Sequence, residues 1–297
     1  MTSSPAHPFQ PLEGVRILSL ALNLPGPAAL MRLAQMGADC RKLEPPGGDP
    51  MAQYSPAAYA RLHEGIAPQA ADLKAEAGQA QLHAELARAD VLITSFRPSA
   101  LRKLGLDWAA LQPRHPRLSL VAIVGAPGER AEEPGHDLTY LAENGLVPGL
   151  ALPATLYADM GGALMASEAV LQAVLHQRRE GAGVCLEIAL SGAAGFLALP
   201  RAWGLTEDSA DIGGGHAGYR VYACQDGRVA LAALEPHFAG RLLAAADMAV
   251  PASADVLSQT MRAPATHEAV AAFVGRHTRQ QLDALAHAHD IPLHTMR

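Results

Sequence analysis

Two short segments place a histidine and an aspartate where they could work together as an acid and a base. The first segment, 134–140, contains His136, and the second, 156–162, contains Asp159, 23 positions further along the chain. An imidazole can take up and release a proton near neutral pH. Glycines beside both residues would let the backbone approach a ligand closely. The two segments predict a pair of acid/base groups that face each other across a substrate.

Each of these residues also has an ordinary structural role open to it. His136 is one of 13 histidines, and a loop histidine is most often a surface residue. An aspartate just before a helix is most often its cap, a role worth about 1 kcal/mol. That role is compatible with chemistry, because a helix N-terminus also keeps a carboxylate ionised. Glu235 lies between a predicted strand and a predicted helix. Its local sequence alone indicates an ordinary acidic residue at the start of a helix.

Strand and helix patterns alternate over the first 125 residues. The elements that they predict must position the segments that contain His136 and Asp159. Hydrophobic runs predict strands at 15–22, 38–43, 89–93 and 118–124, helices at 28–36 and 72–88, and a helix start near Asp107. Residues 51–68 predict a loop or an irregular helix. Strand, helix and strand in this order form parallel sheets with right-handed crossovers. The pattern predicts an α/β fold built on a Rossmann-like, doubly wound parallel sheet.

The rest of the chain predicts a long helix and a smaller second domain. A helix at 161–180 would begin directly after Asp159, and a strand at 184–190 and a helix at 191–203 would follow it. Strands at 219–223 and 228–233 around an Asp-Gly turn are typical of a β-hairpin. Helices are predicted at 237–248, 265–275 and 278–288. Residues 1–203 are expected to form the large domain and residues 204–297 a small α+β domain.

Composition excludes several classes of protein. The 297 residues are 49% hydrophobic and 18% charged, so a substantial core can form, and a net charge of −6 gives no reason to expect a nucleic-acid or membrane partner. Three widely separated cysteines indicate a reducing compartment without disulfides or a zinc site. Neither a signal peptide nor an apolar run long enough to span a membrane is present, so a cytoplasmic protein is expected.

The turn after the first predicted strand, Asn23–Pro27, lies where a doubly wound sheet binds its ligands. It lacks the Gly-x-Gly-x-x-Gly fingerprint of dinucleotide binding, and Gly-x-Ser-x-Gly, His-Glu-x-x-His and the P-loop are absent as well. Basic residues near predicted strand ends could hold phosphates where several converge: Lys42, Lys74, Arg97, Arg102 and Lys103. Acid/base chemistry on a bound ligand is the sharpest hypothesis that these residues support.

An ordered series of motifs extends over nearly the whole chain. It comprises Pro11–Leu18, Pro25–Pro27, Gly37–Asp39, Lys42–Gly48, Ala89–Ile93, Phe96–Pro98, Gly135–Asp137, Asp159–Gly162, Val221–Tyr222, Asp226–Gly227 and Ala233–Pro236. The order of the series is more specific than any one motif, and it resembles the family III CoA-transferases, a superfamily that includes CoA-transferases and α-methylacyl-CoA racemases.

The resemblance implies two chemistries. In the transferases, the aspartate that matches Asp159 is a nucleophile that forms a mixed anhydride and then an aspartyl-CoA thioester. In the racemases, it and the histidine that matches His136 are two opposed bases on a 2-methylacyl-CoA, and the residue that matches Glu235 supports the histidine. A glycine-rich turn and helix N-terminus after Asp159 could stabilise the thioester oxyanion.

The resemblance also implies the binding partners. No cofactor is expected beyond coenzyme A as part of the acyl-CoA substrate, and a homodimer of interlocked subunits is expected. The residues expected to bind CoA are Asn23, Leu24, Pro25, Lys42, Asp72, Leu73, Lys74, Ser95, Phe96, Arg97 and Lys103.

Three details favour the racemase branch: the Gly-His-Asp form of the loop, the direct run of Gly215–Tyr222 into the hairpin, and Ala-Leu-Glu-Pro at 233–236. Three departures distinguish this chain from the family pattern. Residues 64–69 contain no basic residue, the spacing between His136 and Asp159 is shorter, and the C-terminal segment that returns to the large domain is expected to be missing. CoA transfer and a non-catalytic CoA-binding remnant therefore stay open as alternatives to racemisation.

Overall fold

A computed structural model describes residues 9–297 and divides the chain into two compact units. The first extends to Ala198 and the second is Leu199–Arg297. This division falls five residues before the predicted domain boundary, because the predicted helix at 191–203 is two helices, α9 (Leu190–Leu197) and α10 (Leu199–Ala202). The second of them belongs to the C-terminal unit.

The first unit is built on six parallel strands in the order β3-β2-β1-β4-β5-β6. The strand order reverses between β1 and β4, so the carboxyl ends of these two strands flank the crevice where doubly wound folds bind ligands. This confirms the predicted fold class. The strands are β1 (Arg16–Ser19), β2 (Asp39–Glu44), β3 (Gln69–Ala70), β4 (Val91–Thr94), β5 (Ser119–Val124) and β6 (Cys185–Ala189).

Apolar side chains cover both faces of this sheet. Alternate residues of a strand point to opposite faces, and Ile17 belongs to one buried cluster while Leu18 belongs to another. Ile93 and Leu92 are divided between the same two clusters. Helices α1 (Pro25–Gln35) and α8 (Tyr157–Glu180) contribute to the first cluster, and α4 (Glu76–Leu86) and α5 (Pro98–Leu104) contribute to the second. A sheet buried on both sides explains why its strands read as nearly continuous hydrophobic runs.

The helices of the first unit differ from the predicted ones at their starts and in number. Helix α1 begins at Pro25, earlier than predicted, because proline is well suited to the first helical position. The helix predicted at 72–88 is shorter and begins at Glu76. The segment 51–68, predicted as a loop or an irregular helix, contains two short helices. The helices are α1 (Pro25–Gln35), α2 (Met51–Tyr54), α3 (Pro56–Leu62), α4 (Glu76–Leu86), α5 (Pro98–Leu104), α6 (Trp108–Leu111), α7 (Asp137–Glu143), α8 (Tyr157–Glu180) and α9.

The second unit is a three-stranded antiparallel sheet, β7-β8-β9, with five helices. The predicted hairpin is confirmed as β7 (Tyr219–Cys224) and β8 (Gly227–Ala232), and a third strand, β9 (Leu293–Met296), was not predicted. The helices after α10 are α11 (Pro236–Ala245), α12 (Ala254–Arg262), α13 (Pro264–Gly275) and α14 (Arg279–His289). Within residues 9–297, no helix is both long and apolar enough to cross a membrane.

Candidate active site

A cleft of about 840 Å³ opens at the carboxyl ends of β1, β4 and β5. Its walls come from the turn after β1, the turn after β4, the end of β5, and the first turns of α7 and α8. Both His136 and Asp159 line it. The structure therefore brings the predicted acid/base pair into one cleft at the switch point of the sheet, where a doubly wound fold places its ligands.

Asp159 lies inside the first turn of α8, not before the helix as the sequence suggested. Helix α8 begins at Tyr157, so Asp159 is its third residue. Its backbone N–H is one of those that an α-helix leaves without an internal partner, and it donates to Oδ1 of Asp137 at 2.9 Å. The side chain of Asp137 thus closes the start of α8, and the carboxyl group of Asp159 can face the cleft.

The pKa of Asp159 is raised from 3.8 to about 6. Burial is the main cause, because the carboxyl is largely removed from water, and the negative charge of Asp137 adds to it. The positive charge of His136 acts in the opposite direction. A carboxyl group with a pKa near 6 can both accept and release a proton near neutral pH, as a general acid/base must.

His136 precedes the first residue of α7 and has an extended backbone. Thr139 holds that backbone on two sides: its hydroxyl accepts from the N–H of His136 at 3.1 Å and donates to the carbonyl of His136 at 2.8 Å. The side chain is exposed and faces the cleft. The sequence did not predict α7, whose start fixes where the imidazole emerges.

Tyr140 forms part of the cleft wall, and two glycines accommodate it. A Cβ at Gly125 would overlap the Tyr140 hydroxyl, and a Cβ at Gly135 would overlap both the hydroxyl and the ring. Burial raises the pKa of Tyr140, and the charge of Asp159 contributes to the same effect. Sequence reasoning missed this residue because its place in the cleft wall depends on α7, a helix that the sequence did not predict.

The two glycines after Asp159 do not form a turn, so this prediction is wrong. Gly161 and Gly162 lie within α8, where their N–H groups are used by the helix itself. A Cβ at Gly162 would overlap a methyl group of Leu190, and one at Gly161 would touch Leu197 and Ala193 at 3.3 and 3.4 Å. Their small size lets α8 and α9 pack closely, and they offer no free donor to an oxyanion.

Six of the residues expected to bind CoA line the same cleft: Asn23, Leu24, Pro25, Ser95, Phe96 and Arg97. Asn23 has a left-handed backbone with φ of 64°, a conformation in which asparagine is several-fold enriched among residues other than glycine. The hydroxyl of Ser95 accepts from the N–H of Leu22 at 3.1 Å and joins the turns after β1 and β4. These turns form one continuous wall.

A second pocket of about 170 Å³ gathers three more of the expected residues, Asp72, Leu73 and Lys74. Phe96 lines both this pocket and the larger cleft. The two cavities therefore lie on either side of one aromatic side chain. The backbone N–H of Lys74 donates to the carboxylate of Asp72 at 3.0 Å, which fixes the turn that carries both residues.

Lys42, Lys103 and Glu235 line neither cavity. Lys42 is fully buried in a polar network behind the cleft wall. Lys103 is exposed near the end of α5. Glu235 belongs to the second unit, where it is exposed and precedes the first residue of α11, as the ordinary reading of its local sequence suggested. The predicted support of His136 by Glu235 stays a prediction.

Comparison with known proteins agrees with this geometry. The family model of CoA-transferase family III matches residues 12–297. A probable fatty acyl-CoA transferase, Rv3272 of Mycobacterium tuberculosis (strain ATCC 25618 / H37Rv), is 31% identical over 208 residues, which are 62% of this chain and 52% of the relative. Alpha-methylacyl-CoA racemase of Homo sapiens is 29% identical over 245 residues, 76% of this chain and 62% of the relative.

The crystal structure of Rv3272 superimposes with a TM-score of 0.84 at 23% identity, covering 98% of this chain and 84% of that one, and so shares the fold. The aligned region spans between half and two thirds of the length of the two relatives above. Because the family match extends over nearly the whole chain, the chain belongs to CoA-transferase family III.

Proposed function

We propose that this protein racemises or epimerises an acyl-CoA that carries a substituent, such as a methyl group, on its α-carbon. The observation that carries the proposal is the presence of His136 and Asp159 in one cleft, with the pKa of Asp159 raised to about 6. Racemisation at a carbon acid needs two bases of moderate strength on opposite faces of one carbon. The cleft offers an imidazole and a carboxyl for these two roles.

In one direction, the carboxylate of Asp159 removes the α-proton, and the electron pair of the C–H bond moves into the thioester to give an enolate. The imidazolium of His136 then delivers a proton to the opposite face of the α-carbon. Asp159 is left protonated and His136 neutral, so the reverse direction begins from the state in which the forward direction ends. A side chain whose pKa lies near the working pH serves both directions.

The CoA portion of the substrate is proposed to follow the cavities away from the acid/base pair. The turns at Asn23–Pro25 and Ser95–Arg97 would hold the chain next to the thioester. The second pocket beyond Phe96, with the exposed Lys74 at its edge, would take the far end of the molecule. Arg97 and Lys74 provide positive charge for phosphate groups.

CoA transfer through Asp159 is the second candidate, and the name of the relative from M. tuberculosis favours it. In that reaction, the Asp159 carboxylate attacks the thioester carbonyl and expels CoA thiolate, which leaves a mixed anhydride. The thiolate then attacks the aspartyl carbonyl and releases the donor acid as its carboxylate. The resulting aspartyl-CoA thioester passes CoA to an acceptor carboxylate.

One experiment separates the candidates. A 2-methylacyl-CoA is incubated with the protein in D₂O, and mass spectrometry follows deuterium at the α-carbon. Racemisation predicts deuterium incorporation into either enantiomer of the substrate. His136→Ala should lose incorporation into the enantiomer whose α-proton His136 removes and keep it in the other, because Asp159 is still present as a base. His176→Ala, a matched control on α8 whose side chain lies outside the cleft, should keep both.

The same samples are treated with hydroxylamine. A hydroxamate at Asp159, without α-deuterium, supports transfer and contradicts racemisation. CoA binding without either product indicates a non-catalytic CoA-binding remnant.

We also propose a homodimer, as the resemblance implies. Light scattering in solution is expected to give twice the mass of the chain, and a mass equal to that of one chain would contradict the proposal.

A further inference from the structure

Lys42 is a buried cation enclosed by protein groups. Its side chain is 0% exposed, and Nζ lies 2.7 Å from Oδ2 of Asp49, 2.9 Å from Oε1 of Glu44 and 2.9 Å from Nε2 of His63. Nζ donates hydrogen bonds to Asp49 and His63 and forms an ion pair with Glu44. Because the ammonium group is closed off from solvent, it is not placed to reach a phosphate of CoA.

The neutral form of His63 completes this set of partners. Its Nδ1 lies 2.7 Å from the carbonyl of Tyr59, so the tautomer that donates from Nδ1 leaves Nε2 as an acceptor for Lys42. Burial lowers the pKa of His63, and the charge of Lys42 acts in the same direction. The hydroxyl of Tyr59 donates to Glu44 at 2.9 Å and holds that carboxylate in the network.

Asp49 connects this network to the wall of the cleft. Its carboxylate is fully buried and accepts from the N–H of Asn23 on both oxygens, at 3.0 and 3.1 Å. Oδ1 also accepts from the N–H of Met51 at 2.9 Å. Asn23 and Met51 both line the cleft. One carboxylate therefore fixes two separate segments of the wall, and Lys42 is the cation that balances its charge.

The turn at Asn23 requires such an anchor. Its left-handed backbone is a sparsely populated conformation that persists when its surroundings hold it. The two bonds to Asp49 supply that hold. Burying a carboxylate without a paired cation carries a large desolvation penalty, and Lys42 supplies that cation.

We propose that Lys42 is a positioning residue for the acyl-CoA site: it acts through Asp49 on the Asn23 turn and does not touch a CoA phosphate. The ligand assignment rests on the proposed function, whereas the chain of contacts from Lys42 to Asn23 does not. Lys42 then affects the binding of the part of the ligand that lies in the cleft beside the thioester. Its effect should be the same for a ligand that carries no phosphate.

The first test needs no ligand. Amide hydrogen exchange at Asn23 and Met51, followed by NMR, is expected to become at least about tenfold faster in Lys42→Met, because the wall loses its anchor. Lys74→Met, the same substitution at an exposed lysine, should leave both amides unchanged. Asp49→Asn and the double variant Lys42→Met/Asp49→Asn should match Lys42→Met, because all three interrupt one chain of contacts.

The double variant also removes the buried charge that Lys42→Met leaves unpaired on Asp49, so it keeps the test open if Lys42→Met fails to fold. The proposal is overturned if amide exchange at Asn23 stays at the native rate in Lys42→Met. It is also overturned if the effect of the double variant on exchange equals the sum of the effects of the two single variants.

The second test compares CoA thioester with the same acyl group on pantetheine, which has no phosphate. Lys42→Met should weaken binding of both by the same factor, about tenfold. Lys74→Met should weaken binding of the CoA thioester alone. A loss in Lys42→Met confined to the CoA thioester would show a direct phosphate contact and contradict the proposal. If the native protein binds neither ligand, the proposed function fails, and hydrogen exchange still decides whether Lys42 positions Asn23.

Discussion

The carboxylate of Asp137 accepts a hydrogen bond from the backbone N–H of Asp159 at 2.9 Å. The first residue of α7 is thereby tied to the first turn of α8, and the two predicted acid/base groups are carried by these two helix starts. Asp137 is only 5% exposed, so its charge acts on Asp159 with little screening by water. One side chain both places the proposed base and raises its pKa.

Asp137→Asn should lower the pKa of Asp159. The substitution removes the charge but keeps an oxygen that can accept the N–H of Asp159. Burial is the larger cause of the raised pKa, so the value should fall from about 6 and stay above its ordinary value. The measurement is the rate of α-proton exchange in which Asp159 is the base, as a function of pH. In Asp137→Asn this rate should begin to rise at a lower pH than in the native protein.

Asp137→Ala serves as the companion variant. It removes the acceptor as well as the charge, so it should lower the maximum rate in addition to moving the pH profile. An Asp137→Asn profile that coincides with the native one would contradict the electrostatic role of Asp137.

The strands and the fold class could be predicted because the sheet is buried on both faces. Every residue of β4 and β5 is buried, and all except Thr94 and Ser119 are hydrophobic. Such runs are visible in the sequence. The start of α8 could not be predicted in the same way. Its first turn is closed by the side chain of Asp137, 22 residues earlier, and a contact of that range leaves no local pattern.

Only part of the candidate site could be predicted, because some of its contacts also join residues that are far apart in the sequence. His136 and Asp159 could be proposed from residue type and from family resemblance, and the structure places both in one cleft. The sequence placed Lys42 near a predicted strand end, where it could hold a phosphate, and the family resemblance implied that it binds CoA. Its three buried partners come from β2, the following loop and the residue after α3, so their convergence appears only in three dimensions.

Asp159→Asn should stabilise the fold at high pH. The folded pKa of about 6 lies above the ordinary value of 3.8. The unfolded chain therefore loses its proton first, and the contribution of this carboxyl to stability is fully present below pH 3.8 and is lost as the pH rises through 6. The loss at pH 8 is at most about 3 kcal/mol, and the asparagine variant avoids it.

Urea unfolding of both proteins between pH 4 and pH 8 would measure this difference. The advantage of Asp159→Asn should be about 1 to 3 kcal/mol at pH 8 and should shrink steadily towards pH 4. Asp39→Asn, at an exposed aspartate of the same unit, should show no such trend. An advantage independent of pH would mean that the charge of Asp159 is not the cause.

The adjacent glycines of α8 should respond to alanine in opposite directions. At Gly161 the new methyl group would meet neighbours at 3.3 and 3.4 Å, which small shifts can accommodate, and alanine favours a helix over glycine by up to about 1 kcal/mol. At Gly162 it would overlap Leu190, so overpacking should cost about 1 to 3 kcal/mol. Thermal unfolding of the two variants measures both effects.

The same pair of variants tests whether these glycines serve catalysis. Gly161→Ala should retain native rates of α-proton exchange, because its N–H bonds within the helix. A stable Gly161→Ala protein that has lost activity would revive the idea that this backbone stabilises an oxyanion.

Alanine substitutions at the two glycines next to Tyr140 should differ in whether Tyr140→Phe restores the lost stability. Alanine at Gly125 would overlap chiefly the Tyr140 hydroxyl, with the nearest ring carbon at 3.1 Å, whereas alanine at Gly135 would also lie 2.6 and 2.7 Å from two ring carbons. Each single variant should lose about 1 to 3 kcal/mol of stability. Tyr140→Phe removes only the hydroxyl, so it should restore most of the stability of Gly125→Ala and little of that of Gly135→Ala. A double-mutant cycle by urea unfolding measures the two coupling energies. Equal coupling in the two cycles would show that the tyrosine ring moves freely in the cleft wall, and that the glycines do not fix its position beside Asp159.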